Sequence, residues 1–140
     1  MALLVVAEDD GDIRDVLLRL LSRDGHTVIA ADNGATALQE VLTRPGVEAV
    51  VTDIDMPQMS GLELCRRIRA NEERACLPVI LVSGSLMPGD QRPRQVEATA
   101  LLPKPFRPAE LLGCLREALA SGHTPGRQPC VCGGKAGAAA

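Results

Sequence analysis

The chain has 140 residues, of which 46% are hydrophobic and 24% charged, the balance of a single globular domain with at most a short appendage. The net charge of −3 and a single aromatic residue, Phe106, with no Trp or Tyr, exclude a basic nucleic-acid footprint and a base-stacking surface. Apolar runs such as Val79 to Val82 are far too short to span a bilayer, and Met1 to Ala7 carries no basic leader, so neither membrane insertion nor a signal peptide is expected.

Leu3 to Ala7 reads as a strand buried on both faces. Ile13, Val16, Leu17, Leu20 and Leu21 then fall on one face of a helix that ends at Asp24-Gly25. Thr27 to Ala31 is a second strand. After Asn33-Gly34, a second helix carries Ala37, Leu38, Val41 and Leu42 and closes at Pro45-Gly46. Glu48 to Thr52 is a third strand. Ser60-Gly61-Leu62-Glu63 is a capping-box pattern opening a helix along Leu62, Cys65 and Ile68. Pro78 to Ser83 is the most apolar strand. Between Leu86 and Ala98, Pro88 suits a helix start, whereas Pro93 in a helix interior would cost about 3 kcal/mol. Thr99 to Leu102 is a short fifth strand. Pro108 sits at a first helical position, followed by an apolar face of Leu111, Leu112, Leu115 and Leu119.

Five strands alternating with helices predict an α/β fold: a five-stranded parallel sheet, doubly wound, in residues 1–120. From Ser121 to 140, Gly, Pro and Ala dominate without periodicity, which predicts a flexible tail. Cys65, Cys76 and Cys114 lie in apolar segments and read as reduced core thiols of a cytoplasmic protein. His123, Cys130 and Cys132 fall short of a closed four-ligand zinc site, and His26 and His123 are expected at the surface.

In parallel sheets of this kind, ligands bind beyond the carboxyl ends of the strands. Strand one ends in Glu8-Asp9-Asp10, strand three in Asp53, strand four in Ser83, and Lys104 follows strand five. If these ends converge, the carboxylates cannot all remain ionised without compensation, and a hard divalent cation is the natural compensator. A carboxylate nucleophile, a hydroxyl and an ammonium complete an inventory suited to phosphoryl transfer onto Asp. Glu8 reads as rim charge rather than a ligand. A plain alternative is that Asp10 or Asp12 only caps the first helix.

Val6-Ala7-Glu8-Asp9-Asp10, Thr52-Asp53-Ile54-Asp55-Met56-Pro57-Gln58-Met59-Ser60-Gly61, Val82-Ser83-Gly84 and Pro103-Lys104-Pro105-Phe106 together resemble the receiver domain of two-component response regulators. The resemblance covers residues 2–120 and implies a flavodoxin-like strand order 2-1-3-4-5. It implies Asp53 as phosphoacceptor and Mg²⁺ held by Asp10, Asp53 and the backbone carbonyl of Asp55, with Asp9 acting directly or through water. It also implies Ser83 and Lys104 as partners of the phosphoryl group, and a cis peptide before Pro105. The implied partners are a sensor histidine kinase or phosphotransfer protein and, with no output domain following in this chain, a downstream protein or a homodimer. The domain would not be an enzyme beyond catalysing its own phosphorylation and dephosphorylation.

The sequence departs from the family at three points: Leu101 stands where an aromatic residue is usual, Glu97 where Gly is usual, and Ser83 where Thr is commoner. Two other function classes compete with the phosphoacceptor. Asp53-Ile54-Asp55 imitates the nucleophile and acid of a haloacid-dehalogenase-like phosphatase, and a degenerate receiver would only bind a partner.

Overall fold

The computed structural model describes residues 2–86, 89–126 and 129–131. Its elements run β1 (Leu3–Ala7), α1 (Gly11–Arg23), β2 (Thr27–Ala31), α2 (Gly34–Thr43), β3 (Val47–Asp53), α3 (Gly61–Ala70), β4 (Val79–Ser83), α4 (Arg92–Gln95), β5 (Ala100–Pro103), α5 (Pro108–Ser121) and β6 (Cys130–Val131). The sheet order is β2-β1-β3-β4-β5-β6, and every neighbouring pair is parallel. The order over the first five strands is the expected one. The sixth strand lies in the stretch read from sequence as a tail.

Alternation along the strands divides the core into two layers. Leu4, Val6, Ala49, Val51, Ile80 and Val82 face α1 and α5, where they meet Leu17, Leu21, Leu111 and Leu115. Val5, Ala7, Val50, Val79 and Leu81 face the other way, against Ala37 and Val41 of α2 and Leu64, Cys65 and Ile68 of α3. Strands buried on both faces explain why the sequence shows continuous apolar runs rather than alternation.

The helix starts are set by local chemistry. The Asp10 carboxylate accepts the N–H groups of Asp12 (2.9 Å) and Ile13 (3.1 Å) and caps α1. Asn33 caps α2 through Thr36 N–H, and Ser60 caps α3 through Glu63 N–H. The segment before β5 yields only one turn, α4, with Pro93 in its first turn, where the missing N–H costs nothing. The helix start considered at Pro88 lies outside the described residues.

Several surface expectations are corrected. His26 and His123 are both buried. The His26 ring lies behind β1, where its Nδ1 accepts the Ala2 N–H at 3.0 Å. Cys65 is a buried free thiol as read, and burial pushes its pKa up to about 12. Cys76 is exposed rather than in the core, and Cys114 is disulfide-bonded rather than reduced. The zinc possibility included Cys132, which lies outside the described residues. Among the described residues no helix is long and apolar enough to cross a membrane.

Candidate functional site: an acidic pocket with one lysine

The parallel register builds the site. Ala7 pairs with Thr52, so the next residues, Glu8 and Asp53, emerge side by side at the carboxyl ends of β1 and β3. Asp53 pairs with Val82 of β4, and Ser83 pairs with Pro103 of β5, which puts Lys104 next beyond the sheet. The Lys104 N–H is bonded to the Ser83 carbonyl at 2.9 Å, anchoring the lysine backbone to the end of β4. The Lys104–Pro105 peptide is cis.

Carboxylate oxygens of Glu8, Asp9 and Asp53 lie within 4.8 Å of one another. Lys104 Nζ sits 3.0 Å from Glu8 Oε1 and 3.4 Å from Asp53 Oδ1. Glu8 is 1% exposed and Asp53 9%, so both carboxylates have lost most of their water. Burial raises the pKa of each. The bond to Lys104 and the Asp10 N–H partly offset this at Glu8, and the charge of Lys104 partly offsets it at Asp53. Burial also works against the charge of Lys104, but the bond to Glu8 and the charges of both carboxylates outweigh it and hold the ammonium above the usual lysine value. Three carboxylates thus gather around a single ammonium.

The loop beyond Asp53 is shaped by two glycines that tolerate no side chain. A Cβ at Gly61 would lie 2.1 Å from the Asp53 carbonyl oxygen, and one at Gly34 would lie 2.3 Å from the Met59 carbonyl oxygen. Gly61 donates its N–H to the Ile54 carbonyl at 2.9 Å, so the chain folds back directly behind Asp53. On the outer side, Ser83 Oγ lies 3.1 Å from Ser85 Oγ and accepts the Ser85 N–H. Ser85 Oγ in turn donates to Asp55 Oδ2 at 2.9 Å.

The structure thus brings Asp9, Asp53 and Lys104 together, with Ser83 at the adjoining strand end. It does not bring in Asp10, whose carboxylate faces the amide groups of α1. The Asp10 carboxylate instead caps α1, and it is Glu8, read as rim charge, that joins Asp9 and Asp53 in the cluster. The signal was one of register. A helix starting at Gly11 needs a cap at position 10, and Glu8 still follows β1 in pairing, its N–H bonded to the Ala31 carbonyl at 3.0 Å. Ser85 is not legible from the sequence, because two serines flanking a glycine carry no motif of their own.

Comparison with known proteins agrees with this geometry. The sequence pattern of the response regulator receiver domain matches residues 4–116. The response regulator MprA of Mycobacterium ulcerans is 36% identical over 119 residues, covering 83% of this chain and 49% of that protein. The receiver protein CpdR of Brucella abortus is 34% identical and is matched over 98% of its length, against 85% of this chain. The chain spans about half the length of MprA and of several other curated relatives that it matches. Among solved structures, chemotaxis protein CheY4 of Vibrio cholerae superposes with a TM-score of 0.78 at 28% identity, covering 84% of this chain and 98% of that one. The receiver domain of the sensor histidine kinase PA1611 of Pseudomonas aeruginosa, solved with a magnesium ion in its active-site cleft, gives 0.78 at 25% identity, covering 85% of this chain and 98% of that one. These matches set aside the haloacid-dehalogenase alternative. The chain belongs to the response regulator receiver domain family, the phosphoacceptor signalling modules of two-component systems.

Proposed function

We propose that Asp53 accepts a phosphoryl group from a histidine of a sensor kinase or phosphotransfer protein in the cytoplasm, and that the acyl phosphate switches contact with a downstream protein or a second copy of the chain. The observation that carries this reading is the placement of Lys104 Nζ between Glu8 and Asp53 at the mouth of a three-carboxylate cluster. Three carboxylates and one ammonium leave two negative charges, and all the free donors are hard oxygens, a set that fits Mg²⁺. Asp9, Asp53 and the Asp55 backbone carbonyl would hold the ion, with Glu8 facing it directly or through water. Bound there, Mg²⁺ neutralises the cluster and the incoming phosphoryl oxygens.

The remaining steps belong to the chain's own residues. An Asp53 carboxylate oxygen attacks phosphorus in line, a P–O bond forms, the P–N bond to the donor imidazole breaks with its electron pair staying on nitrogen, and the ring, already protonated at its other nitrogen, leaves as neutral imidazole. Lys104 exchanges Glu8 for the phosphoryl group, which is open to it because Asp53 already lies within reach. The Ser83 hydroxyl exchanges Ser85 for a phosphoryl oxygen. In hydrolysis a water oxygen attacks phosphorus and the Asp53 carboxylate departs. The Asp55 carboxylate, which accepts a hydrogen bond from Ser85, would orient that water.

Phosphoramidate, which offers the P–N bond of phosphohistidine without a partner protein, tests the reading. Incubation with Mg²⁺ is expected to produce a single acid-stable, base-labile acyl phosphate, and EDTA to abolish it. No modification with Mg²⁺ present would leave only a partner-binding module, and continuous release of inorganic phosphate with substrate-saturating turnover would mark a phosphatase.

A further inference from the structure

α1 begins where the acidic turn of residues 8–10 ends, and one of its residues spans that turn. Arg14 is the fourth residue of the helix, and its N–H donates to the Asp10 carbonyl at 2.9 Å, the first hydrogen bond of α1. Helical side chains lean toward the start of their helix, so the half-buried Arg14 side chain runs back past Gly11 toward the end of β1. A Cβ at Gly11 would lie 3.7 Å from Arg14 Nη2. Beyond it, Arg14 Nη1 donates to the Glu8 carbonyl at 2.8 Å. One residue thus grips the turn at both ends, at the main-chain oxygens of Glu8 and Asp10.

The peptide between Glu8 and Asp9 joins two of the three carboxylates of the cluster. Glu8 is fixed by other partners as well. Its N–H donates to the Ala31 carbonyl at 3.0 Å, and its buried carboxylate accepts Lys104 Nζ and the Asp10 N–H. Asp9 is exposed, and among the described residues no hydrogen bond or ion pair holds its carboxylate. The direction of that carboxylate is therefore set by its main chain, which begins at the peptide whose oxygen Arg14 holds. A guanidinium bond to a carbonyl is charge-assisted, the stronger class of hydrogen bond, and this one is partly shielded from solvent.

A cation beside a site for a divalent metal acts in two opposed ways. Its charge repels the incoming ion, an effect that solvent and salt screen at a rim. Its hydrogen bond orients the ligands before the ion arrives, and partners of this kind set metal affinity by roughly ten- to a hundredfold. Arg14 bonds a main-chain oxygen and neither of the adjoining carboxylates, so orientation dominates. The two effects differ in sign: loss of Arg14 raises metal affinity if charge prevails and lowers it if orientation prevails.

We propose that Arg14 is a positioning residue of the acidic site: by holding the Glu8 carbonyl it fixes the Glu8–Asp9 peptide, keeps the Asp9 carboxylate with those of Glu8 and Asp53, and so sets the affinity for Mg²⁺ without touching the ion. The proposal rests on the reading of the cluster as a Mg²⁺ site.

The experiment uses the full chain. Arg14→Met keeps the length of the stem and removes the donor, and Arg14→Lys restores a cationic donor. Asp10→Ala is the structural control, because it loosens the start of α1 and leaves the Glu8 carbonyl its partner. Mg²⁺ affinity is measured by calorimetric titration, and the rate of modification by phosphoramidate is followed against Mg²⁺ concentration. Arg14→Met is expected to lower Mg²⁺ affinity about five- to twentyfold, with Arg14→Lys within about threefold of the parent and Asp10→Ala within about twofold. The Mg²⁺ concentration giving half the maximal rate is expected to rise in Arg14→Met by the same factor, while the rate at saturating Mg²⁺ stays near that of the parent. An affinity unchanged or raised in Arg14→Met overturns the positioning role, a rise marking Arg14 as a repelling charge. An equal loss in Asp10→Ala overturns it in favour of a general loosening of the helix start. A rate that stays low in Arg14→Met at saturating Mg²⁺ overturns it in favour of a role toward the phosphoryl donor. Failure of the parent chain to bind Mg²⁺ at all overturns the metal-site reading instead.

Discussion

Lys104 Nζ lies nearer Glu8, at 3.0 Å, than Asp53, at 3.4 Å. The ammonium is thus held by Glu8, within a short movement of Asp53, the proposed phosphoacceptor. Burial raises the Glu8 pKa, the hydrogen bond from Lys104 partly offsets this, and the Glu8 bond and charge in turn raise the lysine pKa. The two residues form a preset pair that a phosphoryl group on Asp53 would pull apart.

This pairing separates Glu8 from Asp10 experimentally. Glu8→Gln and Asp9→Ala are expected to weaken Mg²⁺ binding by tenfold or more in calorimetric titration. Asp10→Ala is expected to leave Mg²⁺ affinity within twofold and to destabilise the fold by about 1 kcal/mol through loss of the α1 cap. A larger loss of Mg²⁺ affinity in Asp10→Ala than in Glu8→Gln would contradict the ligand set.

The site is also maintained at a cost to stability. In the folded metal-free chain the Asp53 pKa is raised, chiefly by burial. A carboxylate with a raised folded pKa binds its proton more readily folded than unfolded. Its contribution is therefore destabilising above the folded pKa, and the penalty is relieved as pH falls through the folded pKa toward the unfolded one. Asp53→Asn removes that penalty while leaving Lys104 its bond to Glu8. The variant is expected to melt a few degrees higher than the parent in EDTA at pH 7, on the order of 1 kcal/mol, with the difference shrinking toward pH 4. Equal melting temperatures at pH 7 would refute it.

The lifetime of the acyl phosphate is expected to depend on Asp55. Its carboxylate is held by Ser85 at the rim of the pocket, where it can orient the hydrolytic water. It could also repel phosphoryl oxygens, by roughly 1 kcal/mol at a partly solvated distance, whereas a well-placed base assists by ~100-fold or more. Assistance therefore dominates. Asp55→Ala should lengthen the phosphorylated half-life several-fold, and Ser85→Ala should do so less, as followed by mass spectrometry. A half-life unchanged or shortened in Asp55→Ala would exclude the assisting role.

Gly61 is expected to be intolerant of any side chain. A Cβ 2.1 Å from the Asp53 carbonyl oxygen must displace the backbone that carries the proposed phosphoacceptor. Gly61→Ala should cost about 1–3 kcal/mol in denaturant unfolding and slow phosphorylation, an overpacking effect against main chain rather than a loss of conformational freedom. A stability unchanged from the parent would contradict the close approach.

The elements with long apolar periods were readable from the sequence because each buries one continuous face, as in α1 and α5 against Leu4, Val6 and Val82. The strand-end residues Asp53, Ser83 and Lys104 were readable because a parallel sheet delivers strand ends to one side. Within Glu8-Asp9-Asp10, three adjacent acids left the choice open by one residue, and it turned on where β1 stops and which carboxylate α1 takes as its cap. The tail was illegible for a different reason. A two-residue strand between prolines and glycines has no period, and its partners, Glu97 to Leu101, are some thirty residues away. The burial of His123 is illegible on the same ground, since its ring meets Thr99 and not a neighbour in sequence.

The central claim is that a single phosphoryl group is carried by Asp53. Acetyl phosphate with Mg²⁺, followed by borohydride reduction and peptide mapping, tests it directly, because reduction of an aspartyl phosphate leaves homoserine at the modified position. One phosphoryl group per parent chain, homoserine at position 53, and an unmodified Asp53→Asn chain are predicted. Homoserine at any other position, or a phosphoryl group retained on Asp53→Asn, would contradict the account.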